Sequence, residues 1–313
     1  MTTHVLILSA RAADYAHLLR GSALPDSEVH VGTESSAVAD WLDRCPIVLA
    51  DPPLVRPLLP KLSALRWLQS TYAGVETLTA SGLRRDYVLT NARGAFGDLM
   101  AEYVLGYLLM HERLGWQRFL AQREGRWDAT WPGRLRGKTM GLVGVGSIGA
   151  EIARVAKCFA LHTLGYTRAS EGCPSIDRYF HGNELAAMAA RCDYLVCSLP
   201  NTGASRHLVD ATVLAALPSH AVLVNVGRGS TVDEAALVHA LQGGWLAGAI
   251  LDVFTTEPLP AGHPLWSLPN VIITSHTSAL SYPEDIAPIF ADNYRRFMAG
   301  ETLRHVVDFE QGY

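Results

Sequence analysis

Cysteine is scarce and scattered along this chain. Cys45, Cys158, Cys173, Cys192 and Cys197 are odd in number, and none forms a CxxC pair. This argues against a disulfide frame or a cysteine-ligated zinc site, and the thiols read as reduced and mostly buried. Charge is sparse too, at 18% of residues and a net -4, so no electrostatic pull toward nucleic acid or an anionic membrane is expected. Long apolar runs are missing. The most apolar helical stretch, residues 100–110, is interrupted by Glu102 and falls far short of a membrane span. The apolar run near the N-terminus is too brief for a signal peptide and reads as a first strand. Internal repeats, low-complexity tracts and a recognisable set of metal ligands are all lacking. A cytoplasmic globular protein is the expectation, and 313 residues with 49% hydrophobic content suit two domains.

What is present is a regular alternation of short apolar runs and helical patterns, which predicts parallel sheets covered by helices. Strands are expected at residues 4–9, 28–31, 47–50, 67–70 and 88–90, making one small α/β unit. A second set is expected at residues 139–143, 162–166, 194–198, 221–225, 247–251 and 271–274. Between the sets lie one long helical pattern, roughly residues 98–123, and a segment rich in Trp, Gly, Pro and Arg, residues 125–138, which reads as a connecting arm. A last amphipathic helix near residues 283–299 has no strand after it, the pattern of a helix that crosses back onto the first unit. The expected domains are therefore residues 1–97 with 278–313, and residues 98–277.

The run GLVGVGSIG places Gly144, Gly146 and Gly149 in a GxGxxG spacing directly after an apolar strand, with Val145 between the first two. Ser147 and Ile148 open the helical pattern that follows. Gly144 permits a tight turn, Gly146 a close approach of backbone to a pyrophosphate, and Gly149 close helix–strand packing. An NAD-type site carries Asp or Glu about twenty residues further on, to bind the ribose 2′-hydroxyl. Thr167 and Arg168 stand there instead. A guanidinium beside a hydroxyl suits a 2′-phosphate, so NADP(H) is expected in preference to NAD(H).

Three polar residues follow successive later strands, where open α/β sheets bind ligands: Arg228 in NVGRGS, Glu257 in FTTEPLP and His276 in TSHTSAL. Reducing a 2-keto acid needs a cation for the substrate's carboxylate and ketone oxygens and a proton donor for the forming alkoxide. Arg228 suits the first task and His276 the second. Glu257 would orient the ring and stabilise the imidazolium.

Together these segments resemble the D-isomer-specific 2-hydroxyacid dehydrogenases, and within them the glyoxylate/hydroxypyruvate reductases. The likeness runs through LRWLQSTYAGVETL, AEYVLGYLL, LRGKTMGLVGVGSIG, SLPNT, LVNVGRGSTVDEAAL, GAILDVFTTEPLPAGHPLW and ITSHTSAL, and the tail VVDFEQGY is similar to the ending of one bacterial branch. The resemblance implies a Rossmann cofactor domain and a flavodoxin-like substrate domain, both doubly wound parallel sheets, with a cleft between them. It also implies a homodimer joined through residues 98–138. Arg228, Glu257 and His276 would be the catalytic triad, and Ala73 and Gly74 the turn holding the substrate carboxylate. Leu199 and Pro200 would pass the cofactor ribose, while Val226 and Asp252 would line the nicotinamide. The substrate would be a small 2-keto acid reduced to its D-2-hydroxy acid; Tyr72, Trp41 or a partner's arm would wall its pocket. Ser275 stands where many relatives have Pro before the catalytic His. The alternatives in view are a D-lactate-like or phosphoglycerate-type dehydrogenase and, from another class, a nucleotide-sensing corepressor-like module.

Overall fold

The computed structural model describes residues 2–20 and 24–312, so Tyr313, the last residue of the tail, lies outside the described residues. The chain divides into two compact units, Met1–Ala95 with Leu280–Tyr313, and Phe96–Ala279.

The first unit is built on five parallel strands: β1 (Thr3–Leu8), β2 (Ser27–Gly32), β3 (Ile47–Ala50), β4 (Trp67–Ser70) and β5 (Val88–Thr90). Their order is β2-β1-β3-β4-β5, the flavodoxin-like winding. β3 and β4 are buried at every position, as strands covered by helices on both faces must be. The C-terminal helix (Pro283–Ala299) returns to this sheet and packs beside helix Ala12–Leu18. Its Phe290 and Phe297 stack on Trp67, with ring centroids 5.0 and 5.6 Å apart. A buried polar network joins the same elements. Trp67 Nε1 donates to Thr90 Oγ1 at 2.8 Å, Thr90 donates to Gln69 Oε1 at 2.7 Å, and Asn293 Nδ2 donates to the same oxygen at 3.2 Å. Each polar side chain of this network thus has a partner, which an apolar layer requires of it.

The second unit holds seven parallel strands: β6 (Thr139–Val143), β7 (His162–Tyr166), β8 (Arg178–Phe180), β9 (Tyr194–Cys197), β10 (Val222–Asn225), β11 (Gly248–Leu251) and β12 (Val271–Ile273). The order β12-β11-β10-β9-β6-β7-β8 is the Rossmann winding with one further strand, and it reverses at β6. The sequence pattern misses β8. Its three residues, RYF, follow a run of Gly, Pro and Ser, and three residues are too few to show a period.

The single helix expected over residues 98–123 is instead two, Gly97–Glu112 and Gly115–Arg123. Leu114 between them takes a left-handed φ of 56°, and Gly115 follows so close to Met110 that an added Cβ would lie 2.1 Å from its Sδ. A continuous apolar pattern hid this break. Residues 124–138 then form neither helix nor strand. Among the described residues, no helix is long and apolar enough to cross a membrane.

Glu112, 5% exposed, closes the first of these helices over the sheet. Its carboxylate accepts from Lys138 Nζ and from Tyr194 OH, each at 2.6 Å. Burial first, and then the bond to Glu112, push the Tyr194 phenol well above its ordinary range, so it stays protonated and donates. Replacing Glu112 by Ala leaves a lysine and a buried hydroxyl without their acceptor. We expect a loss of about 3 kcal/mol for Glu112→Ala and about 1 kcal/mol for Tyr194→Phe, read as shifts in the urea midpoint.

Candidate active site

Parallel registers align six strand ends in the seven-stranded sheet. Val143 pairs with Cys197, Cys197 with Asn225, Asn225 with Leu251, and Leu251 with Ile273, while Val143 also pairs with Tyr166 on its other side. The expected residues of this unit leave the sheet just beyond that row. Gly144 and Thr167 come one residue after it, as do Val226 and Asp252; Leu199 comes two after, and Arg228 and His276 three. One rim therefore carries all of them.

At the turn after β6, Gly144 adopts φ 101°, a conformation that side chains rarely take. Helix Ser147–Cys158 starts there with Gly146 at its N-cap. A Cβ at Gly149 would lie 2.1 Å from the Gly144 carbonyl oxygen, so the first and third glycines press backbone on backbone. A Cβ at Gly146 would meet no protein atom within 4 Å, and Gly146 and Ser147 are exposed. Internal packing therefore does not demand glycine at Gly146. Val145 and Ile148 pack partly into the core beneath.

Leu199 is wedged between two glycine turns. A Cβ on Gly144 would meet its Cδ2 at 2.7 Å, and one on Gly227 would meet its backbone N and O at 2.8 and 2.7 Å. The Pro200 carbonyl accepts from the buried Ser205 hydroxyl at 2.6 Å. Val226 is buried, and its amide donates to the Cys197 carbonyl.

Beyond β7, Thr167 Oγ1 donates to the Ser170 carbonyl at 2.7 Å, and Arg168 is exposed. The sequence pattern misses a neighbour. His181, just after β8, places Nδ1 2.9 Å from the Thr167 carbonyl oxygen and Nε2 2.7 Å from Glu171 Oε1. The bond to Glu171, then that to the Thr167 carbonyl, raise its pKa above the ordinary imidazole value, so its positive charge persists to higher pH. Fourteen residues separate the pair, and an unrecognised strand brings them together.

Arg228 lies half-buried in a loop that glycine makes possible: a Cβ at Gly229 would sit 1.9 Å from the Phe254 carbonyl carbon. Asn225 holds the loop by donating from Nδ2 to the Arg228 carbonyl at 3.0 Å and by accepting from the Gly227 amide at 3.2 Å. Arg228 Nη1 donates to the Gly227 carbonyl at 2.8 Å.

Glu257 and His276 meet. Glu257 Oε2 lies 2.8 Å from His276 Nδ1, while its Oε1 accepts from the Phe254 amide at 2.9 Å. A carboxylate only accepts, so Nδ1 carries the hydrogen and Nε2 is the atom left to exchange a proton. His276 itself has φ 55°, a left-handed backbone uncommon outside glycine, held by its amide's bond to the Asp252 carbonyl at 2.8 Å.

Asp252 is fully buried and turned into that loop. Its Oδ1 accepts from the Thr274 hydroxyl and from the Thr277 amide at 2.8 Å, and its Oδ2 from the Ser278 amide at 3.0 Å. Tyr103 OH bonds Thr274 Oγ1 in turn at 2.7 Å. Both Asp252 carboxylate oxygens thus hold the segment that presents His276, a task that spacing in the sequence does not reveal.

In the first unit, Ala73 and Gly74 follow β4, at the C-terminal end of that sheet. The Ala73 carbonyl accepts from Asn91 Nδ2 at 3.0 Å, and Tyr72 beside them is exposed. Trp41 is stacked on His30 at the opposite edge, centroids 3.5 Å apart.

Removing the Asp252 carboxylate should loosen the His276 segment before it unfolds the sheet. In Asp252→Ala, amide hydrogen exchange at Thr277 and Ser278 should quicken roughly ten- to a hundred-fold, with β10 amides little changed, as expected for lost bonds to a charged acceptor. Unchanged exchange at those two amides would contradict this role.

Residues 105–278 match the D-isomer specific 2-hydroxyacid dehydrogenase NAD binding domain. A D-isomer specific 2-hydroxyacid dehydrogenase family protein from Aeromonas salmonicida is 40% identical, with a TM-score of 0.95 over 99% of this chain and 100% of that one. A D-isomer specific 2-hydroxyacid dehydrogenase from Xanthobacter autotrophicus, solved in complex with NADPH and MES, is 31% identical with a TM-score of 0.87, covering 100% of both chains. Glyoxylate/hydroxypyruvate reductase A of Serratia proteamaculans is 33% identical over 214 residues, 68% of each chain. An oxidoreductase site on a nicotinamide-binding sheet accords with these likenesses, and the chain belongs to the D-isomer specific 2-hydroxyacid dehydrogenase family.

Proposed function

We propose that this enzyme reduces a small 2-keto acid, glyoxylate or hydroxypyruvate in type, to its D-2-hydroxy acid, using NADPH in preference to NADH. The observation that carries the proposal is the 2.8 Å pairing of Glu257 with His276 Nδ1, on the rim that also bears Arg228. The nicotinamide, when bound, supplies the hydride. Gly144, Gly146 and Gly149 would receive the pyrophosphate at the helix N-terminus, with Val145, Ser147 and Ile148 shaping that turn. Leu199 and Pro200 would flank the ribose, and Val226 would lie behind the nicotinamide. Asp252 would serve there by positioning the His276 segment.

Arg228 would bind the substrate carboxylate and polarise the ketone oxygen. His276 would deliver the proton from Nε2 to that oxygen as negative charge develops on it. Glu257 would fix the ring and stabilise the imidazolium before transfer. Ala73 and Gly74 would offer backbone N–H groups to the substrate carboxylate.

Thr167 and Arg168 in place of an acidic residue support the NADPH preference, since a carboxylate there would repel a 2′-phosphate. The complex of the Xanthobacter relative with NADPH points the same way.

The test follows NADPH and NADH oxidation against 2-keto acids of graded side-chain size. Turnover should be highest with the smallest acids and with NADPH. His276→Ala should lose roughly 10²–10⁴ in kcat. Arg168→Ala should raise the KM for NADPH roughly ten- to a hundred-fold, with that for NADH little changed. Full turnover in His276→Ala would refute the assignment.

We also propose a homodimer joined through the segment after helix Gly115–Arg123. Trp127 and Trp131 there are 92% and 93% exposed, in a stretch without helix or strand, and an indole left so open is a natural contact for a second copy. Sedimentation should give a dimer for the native chain and a shift toward monomer for Trp127→Ala/Trp131→Ala. An unchanged dimer in that double variant would place the interface elsewhere.

A further inference from the structure

The parallel register of β1 and β2 sets His4 opposite Glu28, and His30 lies two residues beyond Glu28 on the same face of β2. Three donors of different chain position therefore gather at the outer edge of the five-stranded sheet. His4 Nδ1 is 3.0 Å from His30 Nε2 and 3.6 Å from Glu28 Oε2, and His30 Nε2 is 3.8 Å from Glu28 Oε1. Only the ring–ring contact has hydrogen-bond length, so the carboxylate faces both imidazoles without bonding either. An ion holding four ligands tetrahedrally at the zinc–nitrogen distance keeps them about 3.4 Å apart; one donor atom from each of the three residues lies within 4.8 Å of the others, with the two imidazole nitrogens facing opposite oxygens of the one carboxylate.

The chemistry of the donors agrees. Two imidazoles and one carboxylate form the three-ligand set of an open zinc site. His30 is 8% exposed and stacked on Trp41 at 12° between ring planes, which fixes the direction of its Nε2. Glu28, 54% exposed, leaves an approach from solvent and room for water as a fourth ligand.

We propose that His4, Glu28 and His30 bind a divalent transition cation, zinc or one of its neighbours in size and softness. The site lies on the five-stranded sheet and shares no residue with the proposed reductase machinery. A bound ion would tie edge strand β2 to β1, as a clip on strands of only six residues each. Nothing in the sequence signals it, because the first ligand lies twenty-four residues from the second and only the strand register brings them together.

The test uses the full chain, stripped with a chelator, desalted and titrated with zinc chloride by calorimetry. Cobalt(II) absorption reports the coordination directly. One zinc per chain, visible bands of four-coordinate cobalt, and a higher Tm with zinc are expected. Glu28→Gln and His4→Asn remove ligands from partly exposed positions, so the fold should persist. Each should weaken zinc binding at least about tenfold and abolish the cobalt bands. The absence of zinc binding by the native chain, or binding that both variants leave unchanged, would overturn the proposal.

Discussion

Parallel pairing is the constraint on which the rest of this structure depends. Strands that run side by side in one direction must all end on the same edge, so every segment leaving the sheet there starts from a common line. In the seven-stranded sheet that line runs from Tyr166 through Val143, Cys197, Asn225 and Leu251 to Ile273. Loops of very different sequence are thereby brought abreast, about 4.8 Å apart at each step. A glycine turn, a guanidinium, a carboxylate and an imidazole need no direct connection to be neighbours. The sheet supplies the proximity, and each loop has only to aim its own side chain.

Two carboxylates then divide the work around His276. Glu257 is partly exposed and bonds the ring itself. Asp252 is wholly buried and bonds the chain on both sides of that ring, through Thr274, Thr277 and Ser278. One bonds the imidazole and the other the chain that carries it. The left-handed φ of His276 is sustained by its amide's bond to the Asp252 carbonyl together with these carboxylate bonds, since an unfavourable backbone persists only where its surroundings over-determine it.

Much of this was legible in the sequence because it rests on local rules. Strand runs buried on both faces show as unbroken apolar stretches, and the glycine spacing after β6 reports its own turn. The positions of Arg228, Glu257 and His276 follow from counting past strand ends. What stayed hidden depends on long-range register or on single backbone angles. β8 is too short to carry a period, and without it His181 has no reason to be placed beside Thr167. The break at Leu114 interrupts an apolar pattern that reads as continuous. Asp252 sits one residue past a strand, like Val226, and only its hydrogen bonds show that it holds the loop carrying His276. His4 and His30 are unremarkable apart and significant only once β1 and β2 are paired.

The bond between Tyr103 and Thr274 joins two parts of the chain that the sequence keeps 171 positions apart. Tyr103 belongs to the helix Gly97–Glu112, and Thr274 hands the connection on to Asp252. Burial raises the Tyr103 phenol above its ordinary range, so it remains a hydroxyl rather than a charge over the pH range in which proteins work. The helix and the histidine-bearing segment are therefore mechanically linked. A sideways step of that helix must either carry the imidazole with it or break the tyrosine–threonine tether.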